Sequence, residues 1–264
     1  EPIEQFRPFE LDSLESNTYK TVDSIAQKAN FHRWEKVLTA LVTNRVPLGQ
    51  LDIMINQLIG INRFEGFRTG FGLSTSPRLS NIFELSGYAA YGFKDEQFKY
   101  GGQFSLFFDA NKNFYAQIKY RNDLQERGRI SLFEKAKIID NETIRNFSSD
   151  QFDFVEGYSF SIGGRMAQGV DLFFDITKEE IAPQYEYFFQ SGEGDNSKIF
   201  DVTEISAKVN LVSGQNFMRF LGYKILNGYE LPILSLKVAR ALDDQSDFSY
   251  NRFDLFAKHQ FKSA

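Results

Sequence analysis

Ser86–Phe108 reads SGYAAYGFKDEQFKYGGQFSLFF. Two alternating runs flank the charged break Lys94–Gln97. In the first, Leu85, Gly87, Ala89, Tyr91 and Phe93 alternate with Glu84, Ser86, Tyr88, Ala90 and Gly92. In the second, Phe98, Tyr100, Gly102, Phe104, Leu106 and Phe108 alternate with Lys99, Gly101, Gln103, Ser105 and Phe107. A period of two is that of a β-strand, whose successive side chains point to opposite faces. Two such runs joined by a short polar break read as a hairpin. A half-buried soluble strand alternates apolar with polar residues. Here the second face is small rather than simply polar, and the question is which face meets water.

The pattern extends in both directions. Phe67, Thr69, Phe71 and Leu73 alternate with Arg68, Gly70, Gly72 and Ser74; Phe114, Ala116, Ile118 and Tyr120 alternate with Tyr115, Gln117, Lys119 and Arg121. Arg121–Asp150 is polar and, with ISLFEKAKII inside it, reads as a loop with a small element of its own. Alternation resumes with Tyr158, Phe160 and Ile162 against Ser159, Ser161 and Gly163. Val170, Leu172, Phe174 and Ile176 then oppose Asp171, Phe173 and Asp175. Further strands fit Glu204–Val212, Leu231–Arg240 and Arg252–Phe261, the last with Phe253, Leu255, Ala257 and Phe261 on one face. The breaks SPRLSN, KDEQ and DANKN have hairpin composition and length. About nine strands emerge, each near the ~9–11 residues that cross a bilayer when tilted.

The expected division is 1–33, a helical segment, and 34–264, β-barrel strands. Leu14–Ala29 carries Leu14, Tyr19, Val22, Ile25 and Ala26 near one helical face, with Asp12 or Ser13 as the cap. An ambiguous first strand lies near Val37–Thr43.

Composition narrows the function. The chain has 264 residues, no Cys, 29 Phe and a net charge of −5. Without Cys there is neither a disulfide framework nor a thiolate metal site. The mild acidity, with no basic block, argues against nucleic acid as a partner. No run approaches the ~18 apolar residues of a membrane helix. That excludes helical membrane proteins but not barrels, whose lumen-facing half keeps the average hydrophilic.

The expected fold is therefore all-β, an antiparallel transmembrane barrel. A barrel that spans lipid must pair every backbone group and so closes on itself. Its lipid-facing set would be Phe67, Phe71, Leu73, Leu85, Phe104, Leu106, Phe108, Ile118, Phe160, Ile162, Leu172 and Phe174, with Tyr91, Tyr100 and Tyr120 at the interfaces. Arg68, Glu84, Lys99, Gln103, Gln117 and Lys119 would face the lumen, among small residues that leave room inside. A soluble β-barrel or sandwich would point the same apolar set inward, and periodicity alone does not choose between the two.

Arg63–Gly101 resembles a family of Bacteroidota outer-membrane proteins of unknown function. The resemblance is carried by an EGFR-type strand start, a glycine-rich strand and YAAYGFKD…KYG. It extends to ESNTYKTVDSIAQKANF and VPLGQLDI upstream, and to LPILSLKVARAL and SDFSYNRFDLF downstream. Members carry a carboxypeptidase-regulatory-like domain ahead of the barrel. These residues hold no counterpart of that domain, and the family continues into more strands. The start FEGFR also resembles barrels of the outer-membrane assembly superfamily. The family implies location in a Gram-negative outer membrane, among lipids and other outer-membrane or periplasmic proteins, and no catalytic residues.

The residues themselves offer little chemistry. His32 follows the helical segment, and His259 shares strand parity with Phe253 and Phe261; neither has a nucleophile or carboxylates beside it in a recognisable pattern. The acidic loops 191–197 and 243–247 could gather carboxylates around Ca²⁺, but they lack EF-hand spacing. GFGLS and SIGGR lie inside strands, where glycine serves packing rather than nucleotide binding. The expectation is a non-enzymatic structural or accessory subunit of a larger envelope complex, without a cofactor. A transport or secretion pore and a soluble binding module are the alternatives. With an odd strand count and no terminal aromatic, these residues are not expected to seal a barrel alone.

Overall fold

The computed structural model describes residue 40 and residues 43–126, 151–186, 189–190, 196–212, 214, 216–220, 223–228 and 232–259. The strands are β1 (Arg45–Leu48), β2 (Leu51–Met54), β3 (Ile59–Asn62), β4 (Gly66–Thr75), β5 (Phe83–Gly92), β6 (Phe98–Phe107), β7 (Phe114–Glu126) and β8 (Phe152–Ala167). They continue with β9 (Val170–Pro183), β10 (Phe189–Gln190), β11 (Asn196–Ser197), β12 (Phe200–Val212), β13 (Asn216–Phe220), β14 (Tyr223–Gly228), β15 (Ile233–Ala241) and β16 (Asn251–Lys258). Twelve of them form one sheet in the order β1-β2-β4-β5-β6-β7-β8-β9-β12-β15-β16, with β3 also on β4. All its ladders are antiparallel. The hairpins β10–β11 and β13–β14 stand apart from it. Among the described residues no ladder joins β16 back to β1 or β3.

The chain is a meander, so its turns fall alternately at two ends. One end, called the top here, carries the turns at 63–65, 93–97 and 242–250. The bottom carries those at 49–50, 76–82, 108–113 and 168–169. At 108–113 the Asp109 carboxylate accepts from the backbone N–H groups of Asn113 (2.7 Å), Phe114 (2.8 Å) and Asn111 (3.1 Å), which fixes the reversal.

The sheet is curled. Arg68 on β4 donates two bonds to Asp123 on β7, at 2.7 and 2.9 Å. In a flat sheet those strands would lie three spacings, about 14 Å, apart. Side chains that meet across several strands define the concave, inner face.

Beside β4 one strand position is interrupted. β2 pairs with the bottom half of β4 and β3 with the top half, and the 3₁₀ turn Ile55–Gln57 lies between them. This turn folds over the inner face of β4. A Cβ on Gly70 would sit 2.7 Å from the Gln57 carbonyl, and one on Gly72 would sit 3.1 Å from Met54 Cβ. The absent side chains make room for the bulge.

Three expectations need correction. Val37–Thr43 is not a strand where it is described: Ala40 and Thr43 are helical, and the first strand among the described residues is Arg45–Leu48. The loop assigned from Arg121 begins later, because β7 runs to Glu126. Arg121 and Asp123 look like loop residues in isolation, but each has a partner of opposite charge on the inner face, so the strand continues. The ladder also has more members than the nine strands read from alternation, since β1, β2 and β3, four residues each, join it. The helical segment Leu14–Ala29, the stretch ISLFEKAKII, residues 191–195, His32 and Phe261 lie outside the described residues.

Candidate functional surfaces

Strand parity sorts the side chains onto two faces. Phe67, Phe71, Leu73, Leu85, Phe104, Leu106, Phe108, Ile118, Phe160, Ile162, Leu172 and Phe174 all fall on the convex, outer face. Eight of them, Phe67, Phe71, Leu85, Phe104, Phe108, Ile118, Phe160 and Phe174, are 41% to 56% exposed. Ile205, Leu211, Leu234, Leu236, Val238, Phe253 and Leu255 extend the same apolar surface to β16. A soluble monomer rarely exposes a contiguous apolar patch beyond a few hundred Å². Here the patch runs across every long strand.

The apolar surface has a border at the top. Tyr100, Tyr120 and Tyr158 form a row over β6, β7 and β8, with ring centroids 6.0 and 4.8 Å apart. On the strands beside them Phe67, Phe93, Tyr91 and Phe98 form a second chain of ring contacts, at 5.6, 5.5 and 4.9 Å. Beyond this border the outer face turns polar: Glu156, Lys178 and Glu180 are exposed. Glu156 accepts from the Tyr120 hydroxyl (2.8 Å) and the Asn122 amide (3.1 Å).

The inner face holds the opposite chemistry. Arg68, Glu84, Lys99, Gln103, Gln117 and Lys119 all lie on it. Lys99 is fully buried, its ammonium 3.0 Å from Glu65 and also bonded to Asp95. Glu65, itself 1% exposed, further accepts from the Asn62 amide and lies 3.5 Å from Arg68. Asp123 receives the Arg68 guanidinium and the Tyr88 hydroxyl (2.6 Å). Arg121 bonds Glu179 two strands away. Glu204 on β12 gathers Lys237 (3.4 Å), Arg252 (3.2 Å) and the Tyr250 hydroxyl (2.8 Å), and Arg252 also meets Asp254 (3.1 Å). Burial first, and then this bond to Glu204, push the Tyr250 hydroxyl well above its ordinary pKa. Nearer the bottom, Arg45 bonds Glu84 (2.7 Å) and Ser74 (3.2 Å), and the amides of Gln103 and Gln117 each donate to Ser105 at 3.1 Å.

Burying charge is costly unless it is paired and hydrogen-bonded. Each cation of the Lys99, Arg68 and Arg121 set has a carboxylate from another strand or turn, which is how the inner face tolerates them. Small residues supply the space. Tyr88 lies over Gly101, its cross-strand partner, so that a Cβ there would come within 2.8 Å of the ring. On one row Phe107, Tyr115, Gly163, Phe173 and Lys208 stand side by side across five strands. The rings of Tyr115 and Phe173 meet over Gly163 at 6.3 Å, and the Lys208 ammonium sits 4.7 Å from the Phe173 ring.

Sequence reasoning places Arg68, Lys99 and Arg121 on one face but misses their partners Glu65, Asp95, Asp123 and Glu179. For Asp123 the signal is present: Arg121, Asp123 and Gln125 continue the period of two past the apparent strand end. His259 is exposed and lies one residue beyond β16 rather than inside a strand. In 243–247 the carboxylates serve the protein: Asp243 accepts from Ser249 (2.6 Å), and Asp247 from the Asp201 N–H (2.7 Å). Among the described residues no group of three or more His, Cys, Asp or Glu is placed to hold a metal ion.

The chain matches no family model, and no curated protein matches it.

Proposed function

We propose that the chain forms a transmembrane β-barrel of a Gram-negative outer membrane. In this reading it acts as a non-enzymatic structural or accessory subunit of a larger envelope complex, in contact with lipid and with other outer-membrane or periplasmic proteins. One observation carries the reading. Lys99 is fully buried on the concave face between two carboxylates, while Phe71 and Phe104 are exposed on the convex face. A soluble barrel needs the reverse, because apolar burial drives its folding. In lipid the apolar convex face is the solvated one, and the tyrosine row matches an interfacial girdle.

The filled interior favours a structural part over a pore. Ser74, Ser105, Ser235 and Lys99, spread over three strands of the inner face, are each 2% exposed or less. A water-filled channel would leave such groups accessible. The resemblance of Arg63–Gly101 to the Bacteroidota family agrees with this placement.

The test is refolding of the 264-residue protein with and without detergent or lipid vesicles. Strand structure forming only in detergent or lipid, with resistance to carbonate extraction from vesicles, is the expected result. A folded monomer in plain buffer would refute the membrane reading. A steady ion conductance in planar bilayers would favour the pore.

A further inference from the structure

Two open edges of the sheet match each other. Among the described residues β3 pairs only with β4, and β16 only with β15. β3 runs from bottom to top and β16 from top to bottom, so the two are antiparallel. β2 and β3 share the place beside β4; with β4 to β9, β12, β15 and β16 that makes ten positions, an even number. Bacterial single-chain barrels close with an even number of strands. β1 stands outside this count: it pairs with β2 alone, in the bottom half, and runs in the same direction as β16.

The outward backbone groups lie on corresponding residues. The Gly70 N–H donates to the Leu58 carbonyl (3.1 Å), so by alternation the N–H and C=O of Ile59 and Ile61 point away from β4. The Ala241 N–H donates to the Tyr250 carbonyl (3.0 Å), so those of Phe253, Leu255 and Ala257 point away from β15. These are also the outer-face residues of their strands. Ile59 and Ile61 are 65% and 57% exposed, and Phe253 and Leu255 are 72% and 71% exposed. Leu234, Leu236 and Val238 on β15 are only 38% to 43% exposed. The excess is the flank that a neighbouring strand would cover. Lipid offers no hydrogen bonds to a backbone edge, so each edge is costly unless it is paired.

The stagger of the sheet selects the register. Taken strand by strand, cross-strand partners lead from Ser74, near the foot of β4, through Gln103, Ser159 and Glu204 to Tyr250, at the head of β16. In the other direction Ser74 pairs with Asp52, and Asp52 with Pro47. In a closed ring Tyr250 and Pro47 fall on one strand line, separated by the stagger of the barrel. That stagger must be even, or outward side chains would meet inward ones. A stagger of about twelve residues at ~3.3 Å each, over ten strands ~4.7 Å apart, tilts the strands by about 40°, within the roughly 35–45° of barrels. It sets Ile61 opposite Leu255 and Ile59 opposite Ala257. It also brings Lys258, the end of β16, to just above Arg45, the start of β1. The two strands then lie end to end in one position, as β2 and β3 do beside β4. A stagger shorter by two residues would set Lys258 and Arg45 in the same place.

We propose that β3 and β16 of one chain join in the membrane along these edges, closing the sheet into a ten-strand barrel in which β1 continues the line of β16. This rests on the membrane reading, and it departs from the expectation that these residues do not seal a barrel alone. A sealed ring has no backbone edge to lend, so other envelope proteins meet it through its faces and turns.

The chain has no Cys, so introduced pairs report on the seam without background. In phospholipid vesicles with a copper–phenanthroline oxidant, Ile61→Cys with Leu255→Cys should form an intrachain disulfide. It should do so about ten times faster than Ile61→Cys with Phe253→Cys, which this register sets too far apart. Leu236→Cys with Leu255→Cys, direct partners on β15 and β16, is the folding control and should link in every embedded sample. In the unsubstituted protein the amides of Ile59, Ile61, Leu255 and Ala257 should exchange on the order of 100-fold more slowly than in an unstructured peptide. Embedded protein in which the control links but Ile61 and Leu255 do not, or do so only between two copies, would overturn the closure. A faster link to Phe253 would overturn it too, as would free exchange at the four amides. Slowed amides without the link would mean that another segment covers the edges, which also sinks the proposal. A folded monomer in plain buffer sinks the membrane reading instead.

Discussion

Lys99→Met tests the inverted arrangement most directly. The ammonium is fully buried and serves two carboxylates, Glu65 at 3.0 Å and Asp95. Removing it leaves Glu65 with the Asn62 amide and the more distant Arg68, and deprives Asp95 of its cation. Breaking a buried pair by deleting one member costs about 3–5 kcal/mol, chiefly because the partner's charge stays desolvated. Replacing the whole set, as Lys99→Met with Glu65→Gln and Asp95→Asn, removes those charges together and should recover most of the loss. Equilibrium urea unfolding in phospholipid vesicles, followed by far-ultraviolet circular dichroism, reads both quantities. A lysine on a solvated face would give less than about 1 kcal/mol for the single change and no recovery in the triple. That outcome would refute the burial argument and restore the soluble reading.

Three further perturbations use the same unfolding assay. Phe104→Arg on the outer face should cost roughly 2–4 kcal/mol if it lies near the bilayer midplane, and Gln103→Arg, one residue away on the inner face, should cost less; equal tolerance would contradict the assignment of faces. Gly101→Ala should destabilise by about 1–3 kcal/mol, because its Cβ would lie 2.8 Å from the Tyr88 ring. Gly87→Ala, whose Cβ meets only the Gly101 carbonyl at 3.4 Å, should be neutral or mildly stabilising. Slight burial pushes the Asp109 carboxyl up, but the N–H groups of Phe114, Asn113 and Asn111 outweigh it and hold its pKa below the ordinary carboxylate value. Its contribution is therefore complete above the unfolded carboxylate pKa and lost as pH falls through the lower folded value. Asp109→Ala should cost about 1 kcal/mol at neutral pH and flatten that acid limb.

What the sequence revealed depended on length. The nine strands legible from alternation are β4 to β9, β12, β15 and β16, all of eight residues or more. Over such a length a period of two stands out from chance. Arg45–Leu48 and Leu51–Met54 offer four positions each, and Pro47 disguises the first as a turn. The ion pairs were hidden for another reason. Arg68 and Asp123 are 55 residues apart, and Arg121 and Glu179 are 58 apart. No local pattern links such residues; the curl of the sheet does. Inner-face cations could be read from the sequence, but which carboxylate neutralises each of them could not.

The small residues and the buried charges belong to one arrangement. Glycine in a strand forfeits packing and costs conformational entropy, so it survives where something must come close. Over Gly101 lies the Tyr88 ring, whose hydroxyl bonds Asp123, which in turn holds Arg68. The Arg68 side chain runs over Gly60, within 3.7 Å of where a Cβ would be. A Cβ on Gly92 would lie 2.8 Å from the Lys99 ammonium. Each glycine thus clears a path for a long polar side chain to reach a partner across the curl, and each pairing offsets the burial of its charge. Filling Gly101 or Gly92 with an apolar side chain would separate the charges without removing them, the costliest outcome in a dry interior. On the outer face no such constraint applies. There Phe, Leu and Ile recur beside one another from β4 to β16, limited only by the width of the apolar band and its tyrosine border. An inner face selected for fit and an outer face selected for bulk apolarity is the division that a hydrocarbon solvent imposes.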